Sequence, residues 1–381
     1  METIVKNALE RYNPDLKEGF GEARILVIGA GGAGNNTINR LSQIGINGAE
    51  LIAVNTDKQH LSIIRADKKI LIGYELTKGL GAGGYPEVGE QAAVEAKPAL
   101  KELMDGADLV FLTAGLGGGT GTGSLPVIAE VARDSGAVVV GAVTMPFKIE
   151  RARIPKAKEA LHRLRKNCDS VVVVDNNKLL DYVPDLPMDQ AFCVADEILA
   201  RMVKGITETI TLPSLINLDF ADVRSVMRGG AGKGIAMIGL GESDTRNRAE
   251  EAVKHALENP LLEVDYRGAN GALVHITGGP DLTLAEANRI GEIATSYLTD
   301  DANVIWGARI EPEYEGRVQV MVIITGVRSP DILGPSSTEI EVPKRTIAPK
   351  YVPKQATRLY TAKRQRPKEG IMADLGIDYI I

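Results

Sequence analysis

Two stretches of this chain contain residue types whose spacing could carry out chemistry. In the first, residues 114–123, five glycines and two threonines fill the seven positions from Gly117 to Gly123. A buried-strand pattern at 108–113 precedes it, and 124–135 predicts a helix. Glycines let a backbone wrap closely around an anion, and a helix N-terminus attracts negative charge. The stretch therefore predicts a phosphate-binding loop, with a merely flexible glycine loop as the alternative.

The second stretch is 215–224, where Asp219 and Asp222 stand three positions apart. At the start of a helix this spacing lets both carboxylates face the same way. They could act together on one group. The alternative is a structural role, in which one acid caps the helix and the other interacts favourably with the helix dipole.

A further glycine motif follows the predicted strand 24–28. Gly29, Gly31 and Gly34 satisfy GxGxxG before a predicted helix at 37–44, and Asp57 follows the next predicted strand. This pattern is typical of Rossmann dinucleotide-binding enzymes, so an NAD(P)-dependent oxidoreductase is one hypothesis. That hypothesis has no use for the second, richer loop. Two glycine loops at the carboxyl ends of strands instead suggest a nucleotide held from two sides. No lysine follows the glycines as a Walker loop requires.

Composition limits the other possibilities. The 381 residues are 44% hydrophobic and 25% charged, which leaves room for two domains with apolar cores. The net charge of −6 and the 4% aromatic content argue against nucleic-acid binding. Two cysteines without a CxxC motif and four scattered histidines predict reduced thiols and no metal site. Without a signal peptide or an apolar run of ~18 residues, we expect a soluble cytoplasmic protein that does not insert into membranes.

Three motifs in order resemble those of the tubulin/FtsZ superfamily of GTPases, and of FtsZ in particular. They are GAGGAGNN at 29–36 with AVNTD at 53–57, GGGTGTG at 117–123, and NLDFADV at 217–223. The resemblance implies an α/β fold. A Rossmann-like parallel-sheet GTPase domain would be joined by a long central helix, at about 188–211, to a smaller α/β domain.

The resemblance also implies which residues hold GTP or GDP. A third glycine turn at 79–87 would sense the terminal phosphate, and residues 88–105 predict one amphipathic helix after it. The implied nucleotide residues lie in the three glycine loops, at the ribose and at the base: Gly31, Gly32, Ala33, Asn35, Asn36, Asp57, Ala82, Gly83, Gly84, Gly117, Gly118, Gly119, Thr120, Gly121, Glu150, Arg153, Asn176, Phe192 and Asp196.

Some of these assignments have structural alternatives. The family places an arginine four residues after the glutamate, whereas Ile154 stands there and arginines occupy 151 and 153. An asparagine at 176 offers a donor and an acceptor to a purine edge, but is also common in turns. An acid at 196 suits the donors of guanine, whereas the phenylalanine at 192 could equally belong to the core.

For catalysis the resemblance implies that Asn217, Asp219 and Asp222 act on the GTP of the next subunit in a head-to-tail homopolymer. Mg²⁺ would be held mainly by phosphates and water. Such a protein would form the cell-division ring at the inner face of the membrane. A relative that binds GTP without hydrolysing it is a further alternative, which the two intact aspartates argue against.

Composition and the resemblance together predict the domain limits. After an N-terminal extension, 1–21, we expect the GTP-binding domain at 22–212 and the second domain at 213–328. Residues 335–370 hold five prolines and nine Lys/Arg against three acids, so 329–370 predicts a disordered basic linker. The apolar residues 371–381 predict a docking peptide for a membrane-tethering division adaptor. A tail strand on the parent domain is the alternative.

Overall fold

The strands of this protein are short apolar runs. The computed structural model describes residues 23–212, 214–216, 219–229, 235–258, 266, 269–327 and 378–379. Their strands are β1 (Ile25–Ala30), β2 (Ala49–Asn55), β3 (Lys68–Leu71), β4 (Leu109–Gly115), β5 (Val138–Met145), β6 (Ser170–Asp175), β7 (Ile235–Ser243), β8 (Gly271–Gly278), β9 (Asn303–Ile310), β10 (Val318–Val327) and β11 (Asp378–Tyr379). Both β1 and β5 are buried at every position, as expected for a parallel sheet covered on both faces.

Helices follow most of these strands. Over the described residues they are α1 (Gly31–Ile44), α2 (Lys58–Ile63), α3 (Tyr74–Thr77), α4 (Pro86–Glu95), α5 (Lys97–Met104), α6 (Thr120–Asp134), α7 (Arg153–Arg165), α8 (Asn177–Tyr182), α9 (Met188–Thr211), α10 (Phe220–Gly229), α11 (Arg248–Leu257) and α12 (Leu284–Thr295). Short 3-10 turns occupy Lys148–Glu150 and Pro312–Tyr314.

The expectation of one helix at 88–105 is wrong, because α4 ends and α5 begins around Ala96. Pro98 explains the interruption. Proline has no N–H to donate, and its ring clashes with the carbonyl four residues earlier. It is therefore tolerated in the first turn of a new helix, where it stands in α5.

The first six strands form a parallel sheet in the order β3-β2-β1-β4-β5-β6. The direction of winding reverses between β1 and β4, which are neighbours. In open α/β sheets, ligands bind outside the carboxyl ends of the strands at such a reversal. Both predicted phosphate loops, after β1 and after β4, lie at this point of the sheet.

Strands β7 to β10 form the mixed part of the same sheet, in the smaller second α/β domain that the resemblance implies. Strand β10 lies between β7 and β8 and is antiparallel to both, whereas β8 and β9 are parallel. One residue pair, Val171 with Ile235, joins β6 to β7. The two domains therefore share one continuous sheet.

Helix α9 spans the junction between the domains, with the bounds that the resemblance implies. One side is buried, with Ala195, Leu199, Met202 and Ile206 each at most 3% exposed. Polar contacts attach α9 to the end of α1 and the following loop: Lys204 Nζ donates to the Ile44 carbonyl at 3.3 Å. The Thr211 hydroxyl donates to the Asn47 carbonyl at 3.2 Å.

Strand β11 pairs in parallel with β3 at the edge of the sheet. Apart from these two residues, the predicted docking peptide 371–381 lies outside the described residues, as do the predicted extension 1–21 and linker 329–370. None of the helices that the structure describes is long and apolar enough to cross a bilayer.

Candidate functional site

A cavity of about 680 Å³ opens at the carboxyl ends of the parallel strands, where the sheet order reverses. This volume lies in the range of small-molecule and cofactor sites. Thirteen of the predicted nucleotide residues line it: Gly32, Ala33, Asn36, Asp57, Gly118, Gly119, Thr120, Gly121, Glu150, Arg153, Asn176, Phe192 and Asp196.

Two helix N-termini converge on this cavity. Helix α1 begins at Gly31 and α6 at Thr120. Gly31 has φ +72°, and a Cβ atom there would lie 2.7 Å from the Gly121 nitrogen. The close approach of the two helix starts thus requires glycine. This close approach brings unpaired backbone N–H groups and the positive ends of two helix dipoles to one place. Such an arrangement favours an anion such as phosphate.

Side chains hold the loop between β4 and α6. The Gly117 N–H donates to the Thr122 hydroxyl at 2.9 Å, and Gly117 has φ +100°. The hydroxyl oxygens of Thr56 and Thr120 lie 2.7 Å apart in a buried hydrogen bond. These contacts connect the loop after β4 to the end of β2, so the backbone of this loop has a fixed conformation.

Asp57 borders the cavity and also caps α2. Its Oδ1 accepts hydrogen bonds from the N–H groups of Gln59, at 2.9 Å, and His60, at 3.1 Å. His60 lines the cavity beside it. Burial lowers the pKa of His60, and the nearby Asp57 carboxylate partly offsets that effect.

The third glycine turn, at 79–87, lies against the loop between β4 and α6. Gly81 lines the cavity, whereas Ala82, Gly83 and Gly84 are not among its lining residues. A Cβ atom at Gly119 would lie 2.8 Å from the Ala82 Cβ. From α7, Lys156 Nζ donates to the Gly84 carbonyl at 2.8 Å. The turn therefore packs behind the loop between β4 and α6, and Lys156 holds it from the side of α7.

Glu150 and Arg153 form one ion pair at the wall of the cavity. Their closest atoms, Arg153 Nη1 and Glu150 Oε2, are 2.6 Å apart. Glu150 Oε1 accepts from the Phe147 N–H at 3.0 Å, which fixes the carboxylate. The 3-10 turn ends at Glu150 and α7 begins at Arg153. This change of helix type brings an arginine three residues on, rather than four, to the cavity.

Phe192 and Asn176 add an aromatic and a polar side chain to the cavity wall. The rings of Phe147 and Phe192 pack edge to face with centroids 5.7 Å apart. Asn176 is 7% exposed, and its Oδ1 has no hydrogen-bond partner among the described residues. A buried acceptor without a partner costs free energy, so this atom fits a ligand that donates to it.

Asp196 is a partly buried acid that also lines the cavity. Its Oδ1 accepts from the Thr37 hydroxyl at 3.2 Å. Burial raises the pKa of Asp196 to about 6, against the lowering effects of that hydrogen bond and of Arg40. This carboxyl group therefore titrates within reach of neutral pH and could accept hydrogen bonds from a base.

The two aspartates of the second motif bind each other's backbone at the start of α10. The Asp222 N–H donates to Asp219 Oδ1 at 2.8 Å, and the Asp219 N–H lies 3.3 Å from Asp222 Oδ2. The structural alternative, a helix cap, is therefore present. Neither residue lines the cavity of its own chain. The third predicted catalytic residue, Asn217, lies outside the described residues.

Three further predicted residues stand just behind the cavity wall. Gly31 and Gly117 support the loops described above, and Asn35 is fully buried, with both side-chain amide atoms unpartnered among the described contacts. Several lining residues were not predicted from the sequence, including Thr144 at the end of β5 and Cys193 beside Phe192. The rule that ligands lie at strand carboxyl ends could have found Thr144.

A larger cavity, of about 790 Å³, lies between α9 and the second domain. Its walls contain none of the predicted site residues, and Cys193 is the residue it shares with the first cavity. The first cavity is the better candidate, because two helix N-termini and fixed polar groups converge there. Among the residues described, no cluster of three His, Cys, Asp or Glu side chains could hold a metal ion.

Fold and cavity define a class: an α/β protein that binds a phosphorylated nucleotide at the switch point of a parallel sheet. Two family models match successive parts of the chain. Residues 24–184 match the GTPase domain of the Tubulin/FtsZ family, and 234–328 match the C-terminal domain of the FtsZ family.

The sequence is similar to those of known proteins over most of its length. The chain is 61% identical to the cell division protein FtsZ 2 of Methanocaldococcus jannaschii, over 99% of this chain and 96% of that protein. It is 56% identical to FtsZ 2 of Haloferax volcanii, over 88% and 86%. An empty FtsZ dimer from M. jannaschii superposes with a TM-score of 0.75 at 49% identity, covering 85% and 92%. The chain belongs to the FtsZ family of tubulin-like GTPases. The hypothesis of a Rossmann-type oxidoreductase is therefore wrong.

Proposed function

We propose that this protein hydrolyses GTP at the contact between successive subunits of a head-to-tail filament, and that such filaments form a cell-division ring. The observation that carries the proposal is the division of the site within one chain. Thirteen of the predicted nucleotide residues line one cavity at the end of the parallel sheet, whereas Asp219 and Asp222 do not border it. A second subunit would supply them.

The cavity suits GTP or GDP. The N-termini of α1 and α6 would bind the phosphates through backbone N–H groups, and Arg153, oriented by Glu150, would lie toward the ribose. Asn176 and Asp196 would bind the guanine edge, with Phe192 against the ring. The unpartnered Asn176 Oδ1 supports this assignment, because a bound base would satisfy it.

Hydrolysis would need no protein nucleophile. Backbone amides fixed by the Thr56–Thr120 and Gly117–Thr122 contacts bind the charge on the phosphates, and the aspartates of the neighbouring subunit position the water. Mg²⁺ would supply further neutralisation of the phosphate charge. We propose that phosphates and water hold it, since the described residues offer no cluster of ligands for a metal ion.

Two related proteins support self-association. The M. jannaschii FtsZ structure is a dimer. A CetZ2 structure from Haloferax volcanii is a GTPγS-bound protofilament, with a TM-score of 0.69 at 25% identity over 80% of this chain and 93% of that one. We further propose that residues 371–381 bind a membrane-tethering adaptor, which would place the filaments at the cytoplasmic face of the division site.

A test of the shared site uses two variants that each lose one half of it. Asp222→Ala should bind GTP normally and lose turnover by about 10²-fold or more, because it lacks a group that positions water. Gly118→Glu should lose GTP binding, since a carboxylate would face the phosphates. A Cβ atom at Gly118 meets no atom within 4 Å, so the substitution leaves the fold intact. Gly118→Ala, without the charge, is its matched control and should bind GTP.

Neither Asp222→Ala nor Gly118→Glu should hydrolyse GTP alone. Mixed in equal amounts, they should recover roughly a quarter of wild-type turnover. At a random head-to-tail contact, about half of the nucleotide sites can bind GTP, and about half of the facing subunits carry the intact aspartate. A mixture no more active than its components would contradict the shared site. Full turnover of Asp222→Ala by itself would remove the catalytic role of that residue.

A further inference from the structure

The two residues of β11 close the outer edge of the GTPase sheet. Asp378 lies opposite Ile70 and Tyr379 opposite Leu71, in parallel register with β3. Without β11, β3 would be the terminal strand at this end of the described sheet. An open edge leaves a row of N–H and C=O groups that readily pair with other strands. An extended segment can therefore pair with this edge of the sheet through its main chain.

Charge indicates which segment suits this edge. Strand β3 begins with Lys68 and Lys69. The C-terminal segment, residues 371–381, contains the acids Asp374 and Asp378 and no lysine or arginine. Lysines on an edge strand disfavour pairing with another lysine-rich strand and favour an acidic one. The C-terminal segment is complementary to the edge on which its own residues lie.

The connection is long enough for the segment to reach its own domain. Fifty residues, 328–377, separate the end of β10 from β11. A chain of that length can span up to roughly 170 Å when extended. The described residues Asp378 and Tyr379 pair with β3 through the main chain. Docking through main-chain hydrogen bonds can be reversed, because each such bond competes with bonds to water.

We propose that the C-terminal segment docks in cis on β3 as a reversible edge strand, and that docking competes with any partner that binds the same segment. Strand addition uses the main-chain N–H and C=O groups of the added segment. Groups paired with β3 cannot pair with a partner at the same time. The competition rests on the adaptor role proposed above, whereas the docking itself does not.

Hydrogen–deuterium exchange on the GDP-bound full chain, at a concentration below that of assembly, tests the docking. The comparison is a chain that ends at Gly370. In the shortened chain the outward-facing amides of β3 should exchange roughly fivefold faster, the factor expected if the segment is docked four-fifths of the time. Amides of β1, in the middle of the sheet, should exchange equally in both proteins.

Two double variants separate backbone pairing from side-chain effects. Asp378→Pro with Tyr379→Pro removes both N–H donors and should expose β3 as fully as the truncation does. Asp378→Asn with Tyr379→Phe keeps the backbone donors and the side-chain sizes, so β3 should stay protected. Tenfold dilution should leave the protection unchanged, because cis docking does not depend on concentration.

Three results would overturn the proposal. They are equal exchange of β3 with and without the segment, protection lost on dilution, and proline variants that behave like the Asn/Phe control. The measurement contains no adaptor. A protein that shows this protection but binds no adaptor would therefore refute the proposed adaptor role and leave the docking intact.

Discussion

At the scale of single residues, Asp196 connects the cavity to the interior of the GTPase domain. It accepts a hydrogen bond from Thr37 on α1, while it lines the cavity on α9. Burial has raised its pKa because the charged form loses hydration that one hydroxyl and Arg40 do not fully replace. The same carboxylate is the group we assign to the guanine donors.

This assignment predicts a pH dependence of nucleotide binding. In the free protein Asp196 is protonated below a pKa of about 6. Its proton must leave before the carboxylate can accept from guanine. The Kd for GDP should therefore rise by up to tenfold per pH unit below about 6 and stay flat above about 7. Equilibrium binding of GDP to the unassembled protein, measured across this range, gives the profile.

The variant Asp196→Asn is the control for that profile. An amide does not titrate, so binding should be weaker at neutral pH and lose most of its dependence on acid. If the wild type and this variant had the same profile, another group would be responsible. His60, which also lines the cavity, would be the first to examine.

At the scale of elements, glycines in this chain serve close packing as well as loop formation. The sequence predicts helices at 37–44 and 124–135, but the helices begin at Gly31 and Thr120, within the glycine motifs. A Cβ atom at Gly34 would lie 2.3 Å from the Thr113 carbonyl oxygen, and one at Gly123 would lie 1.9 Å from that of Pro86. Tertiary contacts thus override the low helix propensity of glycine.

The strands, the central helix and the two phosphate loops follow from apolar patterns and glycine spacing, so the sequence predicts them. Arg153 shows why other features do not. The position four residues after Glu150, where the family has an arginine, is Ile154 in this chain. Helix α7 nevertheless begins three positions after Glu150 and brings Arg153 to the cavity. Likewise, Cys193 lines the cavity because of how α9 is rotated against the sheet. Such details depend on packing between distant segments, which local patterns do not encode.

The packing role of glycine predicts a stability difference between two sites of the second domain. A Cβ atom at Gly239 on β7 would lie 1.7 Å from the Ala256 carbonyl oxygen on α11. Gly239→Ala should therefore lower the free energy of unfolding by about 2–4 kcal/mol, because α11 must move away from the sheet. Urea unfolding followed by the fluorescence of Trp306, the single tryptophan, reports on this domain.

Gly291→Ala is the matched control in the same domain. Gly291 lies within α12, where a Cβ atom would meet nothing within 4 Å. The substitution should raise the free energy of unfolding by about 0.5–1 kcal/mol, through helix propensity and loss of unfolded-state freedom. Equal effects at the two positions would contradict the account of the β7–α11 contact.

At the scale of the whole molecule, one continuous sheet separates the candidate nucleotide cavity from the two aspartates that we propose as catalytic. The nucleotide cavity lies at the carboxyl ends of the parallel strands. The paired aspartates stand at the start of α10, which packs against β8 and β9 of the second domain. The cavity and the pair of acids are therefore separate within one chain. In the function that we propose, head-to-tail assembly brings them together.

The rate of GTP hydrolysis per molecule, measured against protein concentration with pelleting of the same samples, tests this central claim most directly. We expect almost no turnover below a threshold concentration, then turnover and pelletable polymer that rise together above it. The Asp222→Ala protein should form polymer without the turnover. Hydrolysis per molecule that stays constant with concentration, with nothing in the pellet, would mean that one chain holds the whole catalytic site and would contradict the account.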